Sequence, residues 1–288
     1  MKKIAFRTKR FPLLVAVAFM VTIFSCTDEN GIGIDSNLEI DGISDDVELE
    51  TSYEEVDDLT LAGASYDFST GGRSDRDSRF ECAEMTKEET DNGVVITIDF
   101  GEGCEGPNGR VRAGIIQITK SGDHWKPGSV MTTELIGFSI DDLLLEGTRS
   151  IINISESLES NPVFAVTLVG GKATWPDGTT ATREVNRTRT LIIADDSLGN
   201  EIHVEGTSNG VNREGESVEV LILEPLVFLR SCRGGKKFVP VSGVKQITKG
   251  EEVIIIDFGD GTCDNIATKT VDGVTTEIRI NPRRFWNK

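Results

Sequence analysis

From Phe80 onward hydrophobic residues fall on alternate positions in one segment after another. Val94, Ile96, Ile98 and Phe100 share one parity while Thr97 and Asp99 take the other, and the alternation returns at Val218-Val220-Ile222 and Val274-Thr276-Ile278-Ile280. A period of two belongs to a strand with one buried and one wet face. Between these runs lie Asp91-Asn92-Gly93, Pro107-Asn108-Gly109, Pro176-Asp177-Gly178, Ser208-Asn209-Gly210 and Asp272-Gly273, residues that accept the backbone conformations of hairpin turns. No stretch past residue 80 sustains a helical period over three turns. The pattern predicts an all-β domain over 80–288, a mostly antiparallel meander of hairpins forming a large sheet or sandwich.

Residues 26–79 have a different character. Asp28 through Asp67 holds fourteen acidic residues and no Lys or Arg. Self-repulsion and scarce apolar surface predict an acidic, disordered tether. Within it, Leu49, Tyr53, Val56 and Leu59 or Thr60 fall at helix spacing, which marks Leu49–Leu61 as the one helical candidate.

The chain opens with a basic head, Met1 to Arg10, and an uncharged apolar run from Phe11 to Phe24. At about 1.5 Å per helical residue this run is too short for the ~30 Å hydrocarbon core, so residues 1–25 are expected to be a cleaved signal peptide. Ile23-Phe24-Ser25-Cys26 resembles a bacterial lipobox, which implies lipid attachment at Cys26 and membrane association through the acyl chains. Asp28-Glu29 directly behind it resembles the acidic stretch of surface-displayed Bacteroidota lipoproteins. That resemblance implies an outer-membrane lipoprotein exposed on the cell surface, with attachment facing the periplasm as the alternative.

Of the 30 Lys+Arg, five lie in residues 1–25, along with none of the 48 Asp+Glu, so the remainder carries 25 basic against 48 acidic residues, about −23. Such a charge repels nucleic acid.

One element occurs twice. Val95-Ile96-Thr97-Ile98-Asp99-Phe100-Gly101-Glu102-Gly103-Cys104 returns as Val253-Ile254-Ile255-Ile256-Asp257-Phe258-Gly259-Asp260-Gly261-Thr262-Cys263, and each copy has a cysteine upstream, Cys82 and Cys232. The repeated elements span 82–118 and 232–280. A weaker echo pairs Leu145-Glu146-Gly147-Thr148 with Val204-Glu205-Gly206-Thr207. Four cysteines in an exported chain are expected to pair. The duplication suggests Cys82–Cys104 and Cys232–Cys263, with pairing between the copies as the competing scheme. The whole pattern resembles a group of uncharacterised Bacteroidota cell-envelope lipoproteins, a resemblance that implies no activity.

Several motifs invite chemistry. Gly101-Glu102-Gly103-Cys104-Glu105-Gly106 spells a dinucleotide fingerprint, but Pro107-Asn108-Gly109 begins a turn where the fingerprint needs a helix. Asp99-Phe100-Gly101 and Asp257-Phe258-Gly259 spell the kinase metal triplet without the other kinase elements. Asp257 to Gly261 also resembles the strand-turn signature of PKD-type sandwich domains, apart from the cysteine that follows. Asp99, Glu102 and Glu105, with Asp257, Asp260 and Asp264, offer oxygen ligands for Ca²⁺ at spacings that match no EF-hand, so metal-free turns are the preferred reading. His124 and His203 stand apart, with His203 on a polar strand parity, and no G-x-S-x-G accompanies any serine. Arg183, Arg187 and Arg189 share a strand face, where cross-strand Glu and Thr are the expected partners ahead of an anionic ligand. Of Trp125, Trp175 and Trp286, Trp175 sits beside a hairpin tip and is the one candidate for stacking on a sugar.

The sequence therefore points to an exported, lipid-anchored, β-rich envelope protein without a catalytic constellation, acting as a binding, structural or adhesion module toward an extracellular glycan or protein. The alternative is a glycan-processing envelope enzyme that uses a carboxylate pair.

Overall fold

The computed structural model describes residues 44–66, 68, 78–91, 93–106, 109–196, 199–229, 231–232, 239–264 and 266–280. The signal peptide, Cys26, the first part of the acidic segment and Trp286 lie outside the described residues.

The alternating segments form one antiparallel sheet rather than a sandwich. In chain order the strands are β1 (Glu84–Thr90), β2 (Gly93–Asp99), β3 (Cys104–Glu105), β4 (Val111–Lys120), β5 (Val130–Ile140), β6 (Leu143–Asn153), β7 (Val163–Thr174), β8 (Thr180–Ile192), β9 (Glu201–Val211), β10 (Ser217–Leu229), β11 (Ser242–Lys249), β12 (Glu252–Asp260), β13 (Ile266–Val271) and β14 (Val274–Arg279). Each pairs with its neighbours in sequence, except that the short β3 lies off the path and β2 passes directly to β4. Among the described residues β1 and β14 each have one partner. The β1 edge carries Glu84, Lys87, Glu88 and Glu89, charges that discourage further strand pairing.

Residues directly opposite across a ladder share a face. One such row runs Ile96, Ile118, Thr133, Arg149, Leu168, Val185, Ser208, Val220, Ile247, Ile254, from β2 to β12. All ten are buried. The sheet therefore has a single continuous inner face, and its apolar residues gather in two clusters, one over β2–β8 and one over β9–β14.

The first cluster is completed by a helix. Ser44–Ala64 is α-helical, α1, and buries Leu49, Tyr53, Val56 and Leu59, the residues whose spacing marked it. Over residues 48–64 this corrects the expectation of a disordered tether: there the acidic segment is a core element. Burying four such side chains contributes roughly 6–10 kcal/mol before ordering costs. The helix carries no basic residue in its last turn; Lys120 Nζ instead donates to the Ala64 carbonyl at 2.7 Å and places a cation at the negative end of the helix.

Glycine permits two close approaches. Gly63 lets the last turn of α1 lie on β2, where an added Cβ would stand 2.6 Å from Ile98 Cδ1. Gly206, one half of the Glu-Gly-Thr echo, has φ +117°, and a Cβ there would lie 2.4 Å from the Asn186 carbonyl oxygen.

The duplicated elements lie toward the two ends of the sheet, in the β1–β2 hairpin at one edge and in the β11–β12 hairpin, which β13 and β14 follow. In each, the aspartate Oδ1 accepts a hydrogen bond from the backbone N–H two residues on, Asp99 from Gly101 at 2.8 Å and Asp257 from Gly259 at 2.9 Å. Each copy closes its own disulfide, Cys82–Cys104 and Cys232–Cys263. The competing scheme, pairing between copies, is not adopted.

Candidate functional site

The densest chemistry lies between α1 and the sheet. From its first described side chains to its last turn, α1 crosses the inner face diagonally. Glu48 Oε2 accepts from Trp175 Nε1 at 3.0 Å beside the β7–β8 turn, and the Tyr53 hydroxyl donates to the Glu146 carbonyl on β6 at 2.7 Å. Thr60 meets Thr133 on β5 with their hydroxyls 3.1 Å apart.

Carboxylates along this path meet guanidinium groups. Asp57, with 1 % of its side chain exposed, accepts two bonds from Arg149, Nε to Oδ1 and Nη2 to Oδ2, both at 2.5 Å, and Arg189 Nη1 lies 2.9 Å from Oδ2. Glu50 is held by Arg183 and Arg187, and Glu54 by Arg189. On the other flank Glu55 meets Arg112 at 2.5 Å and Arg110 at 3.3 Å, with Arg110 Nε also 3.0 Å from Asp141. Strong, paired guanidinium–carboxylate contacts of this kind fix geometry as well as charge.

Protonation follows from these neighbours. Burial alone would raise Glu50, but Arg187 and Arg183 override it and hold the carboxyl well below its ordinary range. Asp57 is likewise lowered, with burial outweighed by Arg149 and Arg189. Glu54 goes the other way: burial raises it, Arg189 opposes, and the nearby Asp57 and Glu50 charges add to the rise. Burial also keeps the Tyr53 phenol protonated, matching its role as a donor. Neighbouring carboxylates displaced in opposite directions resemble an acid–base pair. Here they are held against guanidinium groups between helix and sheet.

Several sequence expectations are revised by this arrangement. Arg183, Arg187 and Arg189 do share one strand face, but their carboxylate partners come from α1 rather than from cross-strand Glu; Arg183 additionally donates to Ser208 Oγ at 3.0 Å. Trp175 is not free to stack on a sugar. It is 7 % exposed, and the Arg213 guanidinium sits 4.5 Å above its ring while pairing with Asp177 at 2.5 Å. Trp125, by contrast, is exposed, its ring edge-on to Phe164 at 6.1 Å. His203 Nε2 contacts Glu201 at 2.6 Å; His124 lies apart and is pulled down by burial.

The candidate calcium ligands serve their own turns. Besides the Asp99 and Asp257 bonds, Asp260 Oδ1 accepts from the Thr262 hydroxyl at 3.0 Å and Asp264 Oδ1 from the Ile266 N–H at 3.0 Å, while Glu102 and Glu105 point to solvent. Among the described residues no three acidic, Cys or His side chains converge as a metal site. A cavity of about 410 Å³ opens beside the first disulfide, lined by Tyr66, Phe80, Glu81, Cys82, Ala83, Glu84 and Met85. No helix among the described residues is long and apolar enough to cross a membrane.

The residues that sequence reasoning missed are Glu50, Glu54, Glu55 and Asp57 on the helix and Arg110, Arg112 and Arg149 opposite them. The helix residues had a signal, as carboxylates flanking the Leu49-Tyr53-Val56-Leu59 stripe. Comparison of the chain with protein-family models, with curated proteins and with solved structures finds no match.

Proposed function

We propose that the protein is an exported module, lipid-anchored through Cys26 to the outer membrane and displayed at the cell surface, that acts by binding or structural contact rather than by catalysis. The observation that carries this reading is the state of the inner face. The carboxylates gathered there are engaged by Arg149, Arg183, Arg187, Arg189, Arg110 and Arg112, so they are occupied in holding the helix. A glycan-cleaving pair needs one carboxyl to give a proton and another to attack or activate water, with open space between them for the sugar. Contact with an extracellular glycan or protein then falls to the outer face and loops, where Trp125, Leu158 and Ile193 are exposed.

Two measurements test this reading. Incubation with envelope and plant polysaccharides should yield retained binding to some glycan or protein ligand and no new reducing ends; release of reducing sugar that is lost in Glu54→Gln would overturn the non-catalytic assignment. For the anchor, Cys26→Ser should abolish labelling by a fatty-acid analogue and move the protein from membrane to soluble fractions. Unchanged labelling would remove Cys26 from that role.

A further inference from the structure

Among the described residues β14 pairs with β13 alone and forms one edge of the sheet. The connection between them is the two-residue turn Asp272-Gly273, with φ +50° and +77°, the positive pair that a type I′ hairpin requires. In such a hairpin the flanking Val271 and Val274 exchange both of their backbone hydrogen bonds, so the groups of Val274, Thr276 and Ile278 face β13. The N–H and C=O of Thr275, Glu277 and Arg279 point away from it. Thr270 and Thr275 confirm this phase: they are opposite one another with their hydroxyls 2.8 Å apart, and it is the non-hydrogen-bonded pairs that bring side chains closest.

The side chains on this edge are complementary to themselves. In an antiparallel pair, outward groups must meet outward groups, so two copies of β14 related by a two-fold axis can pair only with the axis at a whole residue. Axes at Thr276, Glu277 or Ile278 keep more than one hydrogen-bonded pair within Thr275–Arg279. At Glu277 the axis sets two carboxylates against each other, which destabilises a ladder. At Thr276 it puts Glu277 opposite Thr275 and leaves Arg279 facing Gly273 of the turn. At Ile278 it places Glu277 of each copy opposite Arg279 of the other, and both side chains are exposed. There Ile278, 7 % exposed and part of the second apolar cluster, meets its own counterpart and continues the inner face from one copy into the next. We propose that the β14 edge is a self-recognition site through which two copies of the chain pair antiparallel about Ile278, joining their sheets.

Main-chain hydrogen bonds at Glu277 and Arg279 supply the attraction, as in any strand added to a sheet edge. The crossed Glu277–Arg279 pairs are exposed and individually weak, so they choose the register and the partner rather than provide the affinity. A single strand pair is a small interface, and the dimer is accordingly reversible and concentration-dependent. The other edge is unsuited to the same use, because Glu84, Lys87, Glu88 and Glu89 crowd β1 with charge. The inference goes beyond the binding role proposed above and rests neither on that reading nor on the anchor.

Charge exchange supplies the test, since both side chains are exposed and their reversal leaves the core untouched. Full-length wild-type, Glu277→Arg and Arg279→Glu chains are compared by sedimentation over a range of concentrations. The wild type should dimerise, and each reversal should weaken dimerisation about tenfold or more, because two attractive cross-strand pairs become two repulsive ones. Mixing the two reversed chains, carrying different tags, should restore dimers that hold one of each, since every Arg then faces a Glu; the double variant Glu277→Arg/Arg279→Glu should dimerise with itself again. Glu277→Pro gives a readout independent of charge reversal, as it removes an outward N–H and no bond to β13, and it should be monomeric. A wild type that stays monomeric throughout overturns the proposal, as does a dimer indifferent to the reversals or to Glu277→Pro. Reversed chains that fail to pair when mixed overturn it as well.

Discussion

Replacing Asp57 by Asn removes a charge that is almost wholly enclosed. Its side chain is 1 % exposed and that of its partner Arg149 4 %, and Arg189 shares the same carboxylate. Breaking a buried ion pair by removing one member costs about 3–5 kcal/mol, because the remaining charge is left without compensation in a poorly solvated place. Against a typical stability of about 5–15 kcal/mol this is a large fraction. With a urea dependence of about 2–3 kcal/mol per molar, the unfolding midpoint should fall by about 1–2.5 M. Arg149→Met should cost a comparable amount. The double variant should cost less than the two together, by about 1–3 kcal/mol, since it no longer strands the Arg149 guanidinium. Equilibrium urea unfolding of the four proteins measures this directly. A loss below about 1 kcal/mol for Asp57→Asn, as for a surface ion pair, would refute the enclosed network.

Glu54→Gln should behave differently, with midpoint unchanged or raised at pH 7, because its raised pKa means that folding disfavours the ionised form. Glu50 and Asp57, both lowered, contribute stability that is present above their unfolded values of about 4.3 and 3.9 and lost as pH falls through the lower folded values. Glu54 opposes them: its contribution is full below its ordinary value and is lost as pH rises through the raised one. Circular dichroism across an acid titration should therefore show unfolding promoted below about pH 4, and a flat profile there would contradict the pairing. Gly206→Ala should cost about 2–3 kcal/mol in the same urea assay, since it puts a side chain at φ +117° against the Asn186 carbonyl. Reducing Cys82–Cys104 and Cys232–Cys263, which close 22- and 31-residue separations, should each remove roughly 3 kcal/mol on a chain-entropy basis and lower Tm; an unchanged Tm would show that the crosslinks add little.

The strands were legible because their signal is local. Ile96, Ile98 and Phe100 alternate within one segment, and the Gly-containing turns punctuate the chain where the ladder reverses. Repetition of the Asp-Phe-Gly element pointed correctly to two local disulfides and two matching hairpins. For the acidic segment, local evidence conflicted: Leu49, Tyr53, Val56 and Leu59 favoured a helix, whereas fourteen carboxylates with no cation nearby favoured a solvated coil. The compensating cations lie roughly 55 to 140 residues further on, on β4, β6 and β8, and no window along the sequence places them beside the helix. The same distance hid Trp175, whose turn position suggested exposure until Glu48 and Arg213 closed around it.

Hydrogen exchange through α1 tests the central claim most directly, namely that an acidic segment is a core element seated on the sheet. Peptides covering residues 49–60 should exchange as slowly as those from β6 and β7, opening only with global unfolding. Exchange at the rate of an unstructured chain while β6 and β7 remain protected would contradict the account.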